Sequence, residues 1–287
     1  MKMESKYGGS ILKCRFLFFT RGSRILKNIS FYILLILITI IFIGVLKLFV
    51  FTSFSIPSSS MEPTLIPGDY ILVNKLKYKP INRNDILVFN FPYLDNWNRI
   101  RKNIKSYYTK RCIAIPGDTI CIEDGIYQVK NISDTLGYYP SQLILKEMNE
   151  PSLIQSGIVL DTYPWDSINY KWTIKSFGPL YIPKSGISIP IDTLNIKLYK
   201  NLIEYETDKD ISIFLNIVYL DNIPIKEYSF TLNYYFMAGD YVLDSKDSRY
   251  WGLLPEDHII GKVSKIWKSI DPATNSYRLE RFLKSVN

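Results

Sequence analysis

The feature that most constrains this chain is an apolar run over residues 29–46 that contains no charged side chain. A helix that crosses a bilayer needs about 20 predominantly apolar residues. Lys47 interrupts the run before it continues to Phe51, and a lysine near the end of a membrane helix can reach the headgroups. We therefore predict a transmembrane anchor over residues 29–50.

Two other structures are compatible with an apolar run. A buried helix of a soluble protein normally keeps a polar face, which this run lacks. A signal peptide that is removed has a shorter apolar core, followed by a cleavage site with alanines or other small residues. The residues that follow this run, FVFTSFSIPSSS, contain no alanine, so the sequence favours an anchor that is retained.

The distribution of basic residues orients this anchor. Residues 1–28 contain seven basic residues and one acidic residue, and so carry most of the net charge of +8. Cytoplasmic flanks of membrane helices are rich in Lys and Arg. We therefore predict a cytoplasmic tail over residues 1–28, with residues 51–287 on the outer side. The nearly neutral remainder argues against nucleic acid as a partner.

The part after the anchor has the pattern of a mainly β protein. Short β-prone runs lie at residues 70–73, 85–89, 113–115, 119–122, 211–220 and 241–243. Pro-Gly-Asp occurs at residues 67–69 and 116–118, and each copy predicts a turn before a strand. Residues 122–233 are rich in loops, and we expect no long amphipathic helix.

The counts of histidine and cysteine limit the possible chemistry. The single histidine, His258, excludes a metal site with several His ligands, and its polar surroundings predict a surface position. The three cysteines have no CxxC spacing. We predict neither a metal nor a cofactor. Cys112 and Cys121 form either a disulfide or two separate thiols, and the sequence leaves both open.

Two segments suggest nucleophilic chemistry without histidine. Residues 58–60 are three serines, which form either a polar loop or the site of a nucleophile. Lys110 lies in an apolar, strand-like segment, where a lysine is either a solvated edge residue or a buried amine. Burial lowers the pKa of lysine and produces a neutral base. A serine with a lysine base is a known variant of serine protease chemistry.

Four separated blocks, in order, carry a resemblance to a known family. They are residues 54–65 (FSIPSSSMEPTL), 68–75 (GDYILVNK), 108–118 (YTKRCIAIPGD) and 239–252 (GDYVLDSKDSRYWG). In these blocks the chain resembles bacterial type I signal peptidases, or leader peptidases. The resemblance covers roughly residues 29–121 and 234–268. It implies a bacterial cytoplasmic membrane protein with its catalytic domain on the periplasmic or outer side.

The resemblance implies a role for individual residues. Ser60 matches the nucleophile and Lys110 the general base. The Ser58 hydroxyl, with the backbone N–H of Ser60, matches the oxyanion hole. Ser245 matches a serine that hydrogen-bonds the lysine amine and orients it. Three further positions match supporting residues of the family: Gly239, Asp247 and Arg249.

Substrate binding is implied in the same way. A signal-peptide cleavage site is extended and carries small residues at −3 and −1, and such a segment can add to a strand edge. The residues expected to line its pockets are Phe54, Ile56, Pro57, Met61, Tyr108 and Thr109. Packing in the core is the alternative for each of them. Trp251, Trp267 and Phe54 are candidates for contact with lipid, and core packing is again the alternative for the tryptophans.

One part of the fourth block departs from the family pattern. Residues 241–244 read Tyr-Val-Leu-Asp, where the family often carries a polar Asn-Arg-Asp-Asn set, and strand-like residues therefore replace a local hydrogen-bond network. This departure leaves the surroundings of Ser245 open.

Together these observations predict a mainly β fold with an N-terminal transmembrane helix, a β-rich catalytic core and a smaller inserted domain rich in strands and loops. The expected segments are a tail (1–28), an anchor (29–50), the core (51–121 and 234–287) and the insertion (122–233). The expected function is removal of signal peptides from preproteins at the bilayer. One alternative is an anchored β domain that binds peptides or envelope proteins without catalysis. A self-cleaving repressor-like protein would need a DNA-binding domain in place of the anchor. The sequence leaves the oligomeric state open.

Overall fold

The computed structural model describes residues 29, 31–44, 50–76, 79–93 and 99–286. The chain divides into two compact units, Met1–Phe51 and Thr52–Asn287. In the first unit residues 31–44 form a helix, α1, whose side chains are exposed. Within the described ranges, no helix combines the length and apolar character that crossing a membrane requires. The expected tail over residues 1–28, and Lys47 in the expected anchor, lie outside the described residues.

The second unit is built mainly from strands. In chain order they are β1 (Phe51–Ser55), β2 (Asp69–Asn74), β3 (Ile86–Asn90), β4 (Tyr107–Ala114), β5 (Thr119–Glu123), β6 (Ile126–Val129), β7 (Phe177–Tyr181), β8 (Ser188–Pro190), β9 (Ile211–Phe214), β10 (Ile217–Leu220), β11 (Ile223–Ile225), β12 (Glu227–Ser229), β13 (Tyr234–Ala238), β14 (Leu254–Pro255), β15 (Ile259–Ser269) and β16 (Lys284–Ser285). The helices are α2 (Tyr139–Glu147), α3 (Glu150–Gln155), α4 (Ile196–Thr207) and α5 (Ser248–Trp251).

The largest sheet is antiparallel and has the strand order β1-β2-β15-β3-β4-β13-β14, with β16 added to β15. β15 shifts register against both β2 and β3, and such irregularities bend a strand. β3 is buried throughout and sends alternate side chains to opposite faces. Leu87 and Phe89 pack in the larger core, whereas Ile86 and Val88 pack in a second core with Met61. The loop that contains Met61 is thus held against the sheet.

Several predicted elements are confirmed. β2, β3 and β5 match the predicted runs at residues 70–73, 85–89 and 119–122. Both Pro-Gly-Asp segments are turns, and Gly68 and Gly117 have φ angles of 92° and 96°. These angles favour glycine. A Cβ on Gly68 would also lie 1.9 Å from the Ile270 carbonyl oxygen, so the first turn excludes any other residue on steric grounds as well.

Two predicted strands are wrong. The run at residues 211–220 forms two strands, β9 and β10, because Leu215 and Asn216 adopt positive φ angles and reverse the chain. The run at residues 241–243 is not a strand: Val242–Asp244 forms a 3₁₀ turn. The Val242 N–H donates a 2.9 Å hydrogen bond to the hydroxyl of Ser141 in α2, and this tertiary contact overrides the local preference for a strand.

The expectation of no long helix is also wrong, since α4 has twelve residues. Ile196, Tyr199 and Ile203 bury one side of it in the larger core, at the spacing of an amphipathic helix. α4 lies in the expected insertion. The contacts of the second unit do not separate this insertion from the rest, and its limits at residues 122 and 233 stay a prediction.

The predicted surface position of His258 is wrong as well. Its ring is fully buried, with Nδ1 3.2 Å from the Asn90 carbonyl oxygen and Nε2 3.2 Å from the Tyr205 hydroxyl. Burial lowers the pKa of this imidazole. Tyr205 belongs to α4, so the helix that the sequence did not reveal is what covers His258. Of the alternatives for Cys112 and Cys121, the structure has two free thiols.

Candidate active site

The sequence-predicted pair Ser60 and Lys110 is brought together by a strand and a loop. In β4, Lys110 lies opposite Leu87 of β3, and Arg111 lies opposite Ile86, so the two basic side chains leave opposite faces of the sheet. Ser60 belongs to the loop between β1 and β2, residues 56–68, which we call the serine loop. The Lys110 Nζ donates a hydrogen bond of 2.5 Å to the Ser60 Oγ.

Main-chain contacts and buried side chains position the serine loop. Its beginning is fixed by a 2.8 Å hydrogen bond from the Ile56 N–H to the Asp69 carbonyl. Farther along, the Leu65 N–H donates a 2.9 Å bond to the Met61 carbonyl, and both side chains are buried in the second core. The loop that carries Ser60 is therefore packed and hydrogen-bonded on both sides of the serine.

The Lys110 amine lies in surroundings that favour its neutral form. The residue is 3% exposed, and burial lowers its pKa to about 8. Among the neighbouring charges, Asp247 raises this pKa and Arg249 lowers it. A neutral amine can accept a proton, and a serine hydroxyl needs such a base to act as a nucleophile.

Ser58 lies next to the pair. Its Oγ is 3.3 Å from the Ser60 Oγ, and its side chain is exposed on the side of the cleft. A hydroxyl in this position can donate to an oxyanion that forms on a carbonyl attacked by Ser60.

Gly239 separates the serine loop from Ser245. A Cβ at this position would lie 2.2 Å from the Ser245 Oγ and 2.5 Å from the Ser60 carbonyl oxygen. The Ser245 Oγ is buried and has no hydrogen-bond partner among the described residues. The predicted hydrogen bond from Ser245 to the Lys110 amine is therefore not formed here, and the orienting role of Ser245 stays a prediction.

Asp247 and Arg249 form an ion pair that is fully buried, with N–O distances of 2.8 Å in two parallel hydrogen bonds. Burial would raise the pKa of the Asp247 carboxyl, but the Arg249 guanidinium brings it below its usual value. Asp247 also accepts a 3.0 Å hydrogen bond from the Gly239 N–H. The pair thus holds the segment from Gly239 to Arg249 behind the lysine.

A second buried ion pair, which the sequence did not predict, lies on the other face of β4. Arg111 donates to both carboxylate oxygens of Asp240, at 2.7 and 2.6 Å, and to the Asn84 carbonyl at 2.9 Å. Thr64, in the serine loop, donates a 2.5 Å bond to the same carboxylate. The pair therefore ties the loop to β4. Side chains alternate between the two faces of a strand, and this alternation in the sequence of β4 could have indicated that Arg111 and Lys110 point to opposite faces.

A third anchor comes from the C-terminal segment. Arg281 donates to both oxygens of the buried Asp69 carboxylate, at 2.9 and 2.6 Å, and to the Thr64 carbonyl at 3.0 Å. It thus braces the serine loop from the side of β2. Nothing in the sequence around Arg281 indicated this contact.

A cleft of about 560 Å³ opens beside the Ser60–Lys110 pair. All six residues predicted to bind substrate line it: Phe54, Ile56, Pro57, Met61, Tyr108 and Thr109. Two of them, Ile56 and Met61, are also buried in the second core, so the packing interpretation holds for these two as well. Tyr107, which the sequence did not indicate, also lines the cleft. The centroid of its ring lies 5.1 Å from the centroid of the Phe54 ring.

Comparison with known families decides the class of protein. The family described as Signal peptidase, peptidase S26 matches residues 29–144 and 207–268. The chain belongs to the S26 signal peptidase family. It is accordingly a hydrolase, a serine peptidase, and the expected family is confirmed.

Relatives within the S26 family are similar over most of their length. The Signal peptidase I of Buchnera aphidicola subsp. Acyrthosiphon pisum (strain APS) is 32% identical to this chain, over 82% of this chain and 74% of its own length. That of Aquifex aeolicus (strain VF5) is 30% identical over 82% of this chain and 81% of its own. That of Pseudomonas fluorescens is 27% identical over 78% of this chain and 67% of its own.

Proposed function

We propose that this S26 peptidase removes signal peptides from exported preproteins with Ser60 as nucleophile and Lys110 as general base. The proposal rests above all on one observation, the 2.5 Å hydrogen bond between the Lys110 amine and the Ser60 hydroxyl. The burial of this amine supports it, because a charged lysine cannot accept a proton.

In the proposed reaction, the neutral Lys110 amine takes the proton of the Ser60 hydroxyl as Oγ bonds to the scissile carbonyl carbon. The Ser58 hydroxyl and the Ser60 N–H stabilise the oxyanion that forms. When the peptide C–N bond breaks, the Lys110 ammonium gives its proton to the leaving amine. Water, deprotonated by the same amine, then hydrolyses the acyl-enzyme ester and regenerates Ser60.

The cleft fits an extended substrate. It lies between the end of β1 and the beginning of β4, and a peptide that binds there can pair with a strand edge. Phe54, Ile56 and Thr109 line the cleft and occupy space along its wall. The substrate residues whose side chains point toward this wall should therefore be small. This agrees with cleavage sites that carry small residues at −3 and −1.

We also propose that residues 29–50 anchor the enzyme in the bacterial cytoplasmic membrane, with residues 1–28 in the cytoplasm. Ser60 follows this segment by about ten residues, which span at most ~35 Å. Phe54 and Trp267 are the residues proposed to contact lipid. Trp251 is not among them, because it is 1% exposed and packs in the larger core, whereas Trp267 is 39% exposed.

Cleavage of a preprotein by the full chain in detergent micelles tests the function. Wild-type enzyme should cut a preprotein with alanine at −3 and −1 directly after the −1 residue, as read from the masses of the products. Ser60→Ala and Lys110→Met should each abolish the cut. Ser276→Ala and Lys105→Met, at exposed positions outside the cleft, are matched controls that should cut as the wild type does. Persistent cleavage in either dyad variant would overturn the assignment.

A further inference from the structure

A second groove, of about 590 Å³, adjoins the catalytic cleft. Asp244 and Lys246 line both of them, so the two meet beside the segment that contains Ser245. The Ser59 hydroxyl donates a 2.5 Å hydrogen bond to the Asp244 carboxylate. The residue next to Ser60 is thus bonded to the rim that the two spaces share.

Apolar side chains from two parts of the chain line this groove, together with the polar Ser156 and Ser245. Tyr241 and Leu243 form one wall, at the positions where the sequence departs from the polar pattern of the family. Ile158, Val159 and Trp165, in the expected insertion, form the other. Among the described residues that line the groove, the charged ones are the two shared with the cleft.

The Trp165 side chain is held in place in this groove by contacts with Tyr250. Its ring stacks on that of Tyr250, with 6.1 Å between ring centroids, and its Nε1 donates a 2.9 Å bond to the Tyr250 carbonyl. The Tyr250 hydroxyl in turn donates a 3.0 Å bond to the Val159 carbonyl. The residue is nevertheless 49% exposed.

The backbone of Trp165 supports a binding role. Its φ angle is 63°, in the left-handed region that bulky residues rarely adopt. Strained backbone of this kind is concentrated at sites that bind ligands. Here it holds a large aromatic surface in the open, which packing alone does not require.

We propose that this groove binds the residues that follow the scissile bond, the amino-terminal segment of the mature protein, and selects apolar side chains there. The proposal rests on the proposed function. If the signal-peptide side of the substrate fills the cleft lined by Phe54 and Thr109, the substrate backbone passes Ser60 and continues over Asp244 and Lys246. The groove is the space that it then enters.

The test compares two pairs of signal-peptide substrates with the full-length enzyme in detergent. One pair has long mature segments that differ in carrying leucines or serines after the scissile bond. The other pair carries the same leucines or serines but ends two residues after the bond. The variants are Trp165→Ala and Val159→Asp. Val159 is 55% exposed, so its substitution should leave the fold intact. Ile168→Ala is the control, because Ile168 is 84% exposed and lies outside both spaces.

The quantity that decides is kcat/KM. Wild type and Ile168→Ala should cut the long leucine substrate about tenfold better than the long serine substrate. Both groove variants should lose this preference while cutting the truncated pair as wild type does. A preference that persists in both variants, or an equal loss on long and truncated substrates, would overturn the groove assignment. If the wild type cut none of the four substrates, the proposed function itself would fall, and the groove assignment with it.

Discussion

The Lys110 Nζ lies 2.5 Å from the Ser60 Oγ, although the two residues are 50 positions apart in the chain. The lysine is 3% exposed in β4, and the serine lies in a loop that two arginines brace: Arg111 through the Asp240 carboxylate, and Arg281 directly. A third arginine, Arg249, holds Gly239 behind the lysine through Asp247. The geometry of the pair therefore depends on residues that do not line the cleft.

Ser58→Ala should lower kcat by ~10²–10³, because it removes one of two proposed donors to the oxyanion. KM should change little, since this bond forms only as the carbonyl is attacked. Steady-state kinetics on a synthetic signal peptide measure both constants. Ser58→Thr keeps the hydroxyl and should recover most of kcat. A raised KM with unchanged kcat would instead place Ser58 in substrate binding.

Gly239→Ala should lower kcat by ~10² or more without abolishing the fold. The φ angle of Gly239 is not in the left-handed region, so the obstacle is space alone: the new Cβ meets the Ser245 Oγ at 2.2 Å and the Ser60 carbonyl oxygen at 2.5 Å. The serine loop must then shift away from Lys110. Circular dichroism checks the fold and a peptide assay checks kcat. If Gly239→Ala had the kcat of the wild type, the serine loop would accommodate the added methyl group without moving Ser60 away from Lys110, which contradicts this account.

Asp247→Asn should lower the free energy of unfolding by about 3–5 kcal/mol, because it leaves the Arg249 guanidinium buried without its counterion. Urea unfolding measures the change. Asp221→Asn, in an exposed pair with Lys209, should change stability little. Because Asp247 raises the pKa of Lys110, its loss should also move the activity profile to lower pH. Equal unfolding midpoints for the two variants would contradict this account.

Arg111→Lys should cost about 1.5–3 kcal/mol of stability and reduce kcat. Lysine keeps the charge but cannot bond both Asp240 oxygens and the Asn84 carbonyl at once. The loop at Thr64, which shares the Asp240 carboxylate, is then less firmly held. Arg101→Lys, at an exposed position, is the control for urea unfolding and kinetics. If the two variants had equal stability and equal kcat, the Asp240 pair would not hold the loop.

Local pattern predicted the part of the fold that local forces determine. β2 and β3 have β-prone sequences, and the Gly68 and Gly117 turns need a φ angle that glycine adopts without strain. The Ser60 and Lys110 positions followed from sequence blocks, because the proposed nucleophile and the proposed base each lie in a short distinctive segment. The distance of 2.5 Å between the Lys110 Nζ and the Ser60 Oγ could not be predicted from the sequence.

Long-range contacts explain what the sequence did not predict. The turn at Val242–Asp244 forms because the Ser141 hydroxyl of α2 accepts a hydrogen bond from the Val242 N–H, and His258 is buried because Tyr205 of α4 covers it. The Arg281–Asp69 pair joins residues more than two hundred positions apart. Neither composition nor periodicity contains such pairings, since each depends on the completed tertiary structure.

The dependence of kcat/KM on pH tests the central claim, a neutral Lys110 acting on Ser60, most directly. Burial lowers the pKa of Lys110 to about 8, so below this pH the amine is protonated and cannot accept the serine proton. In wild-type enzyme, kcat/KM for a synthetic signal peptide should rise with pH, pass its midpoint near 8 and then level off. A profile that is flat from about pH 6 to pH 10, or one that falls over this range, would contradict a lysine base.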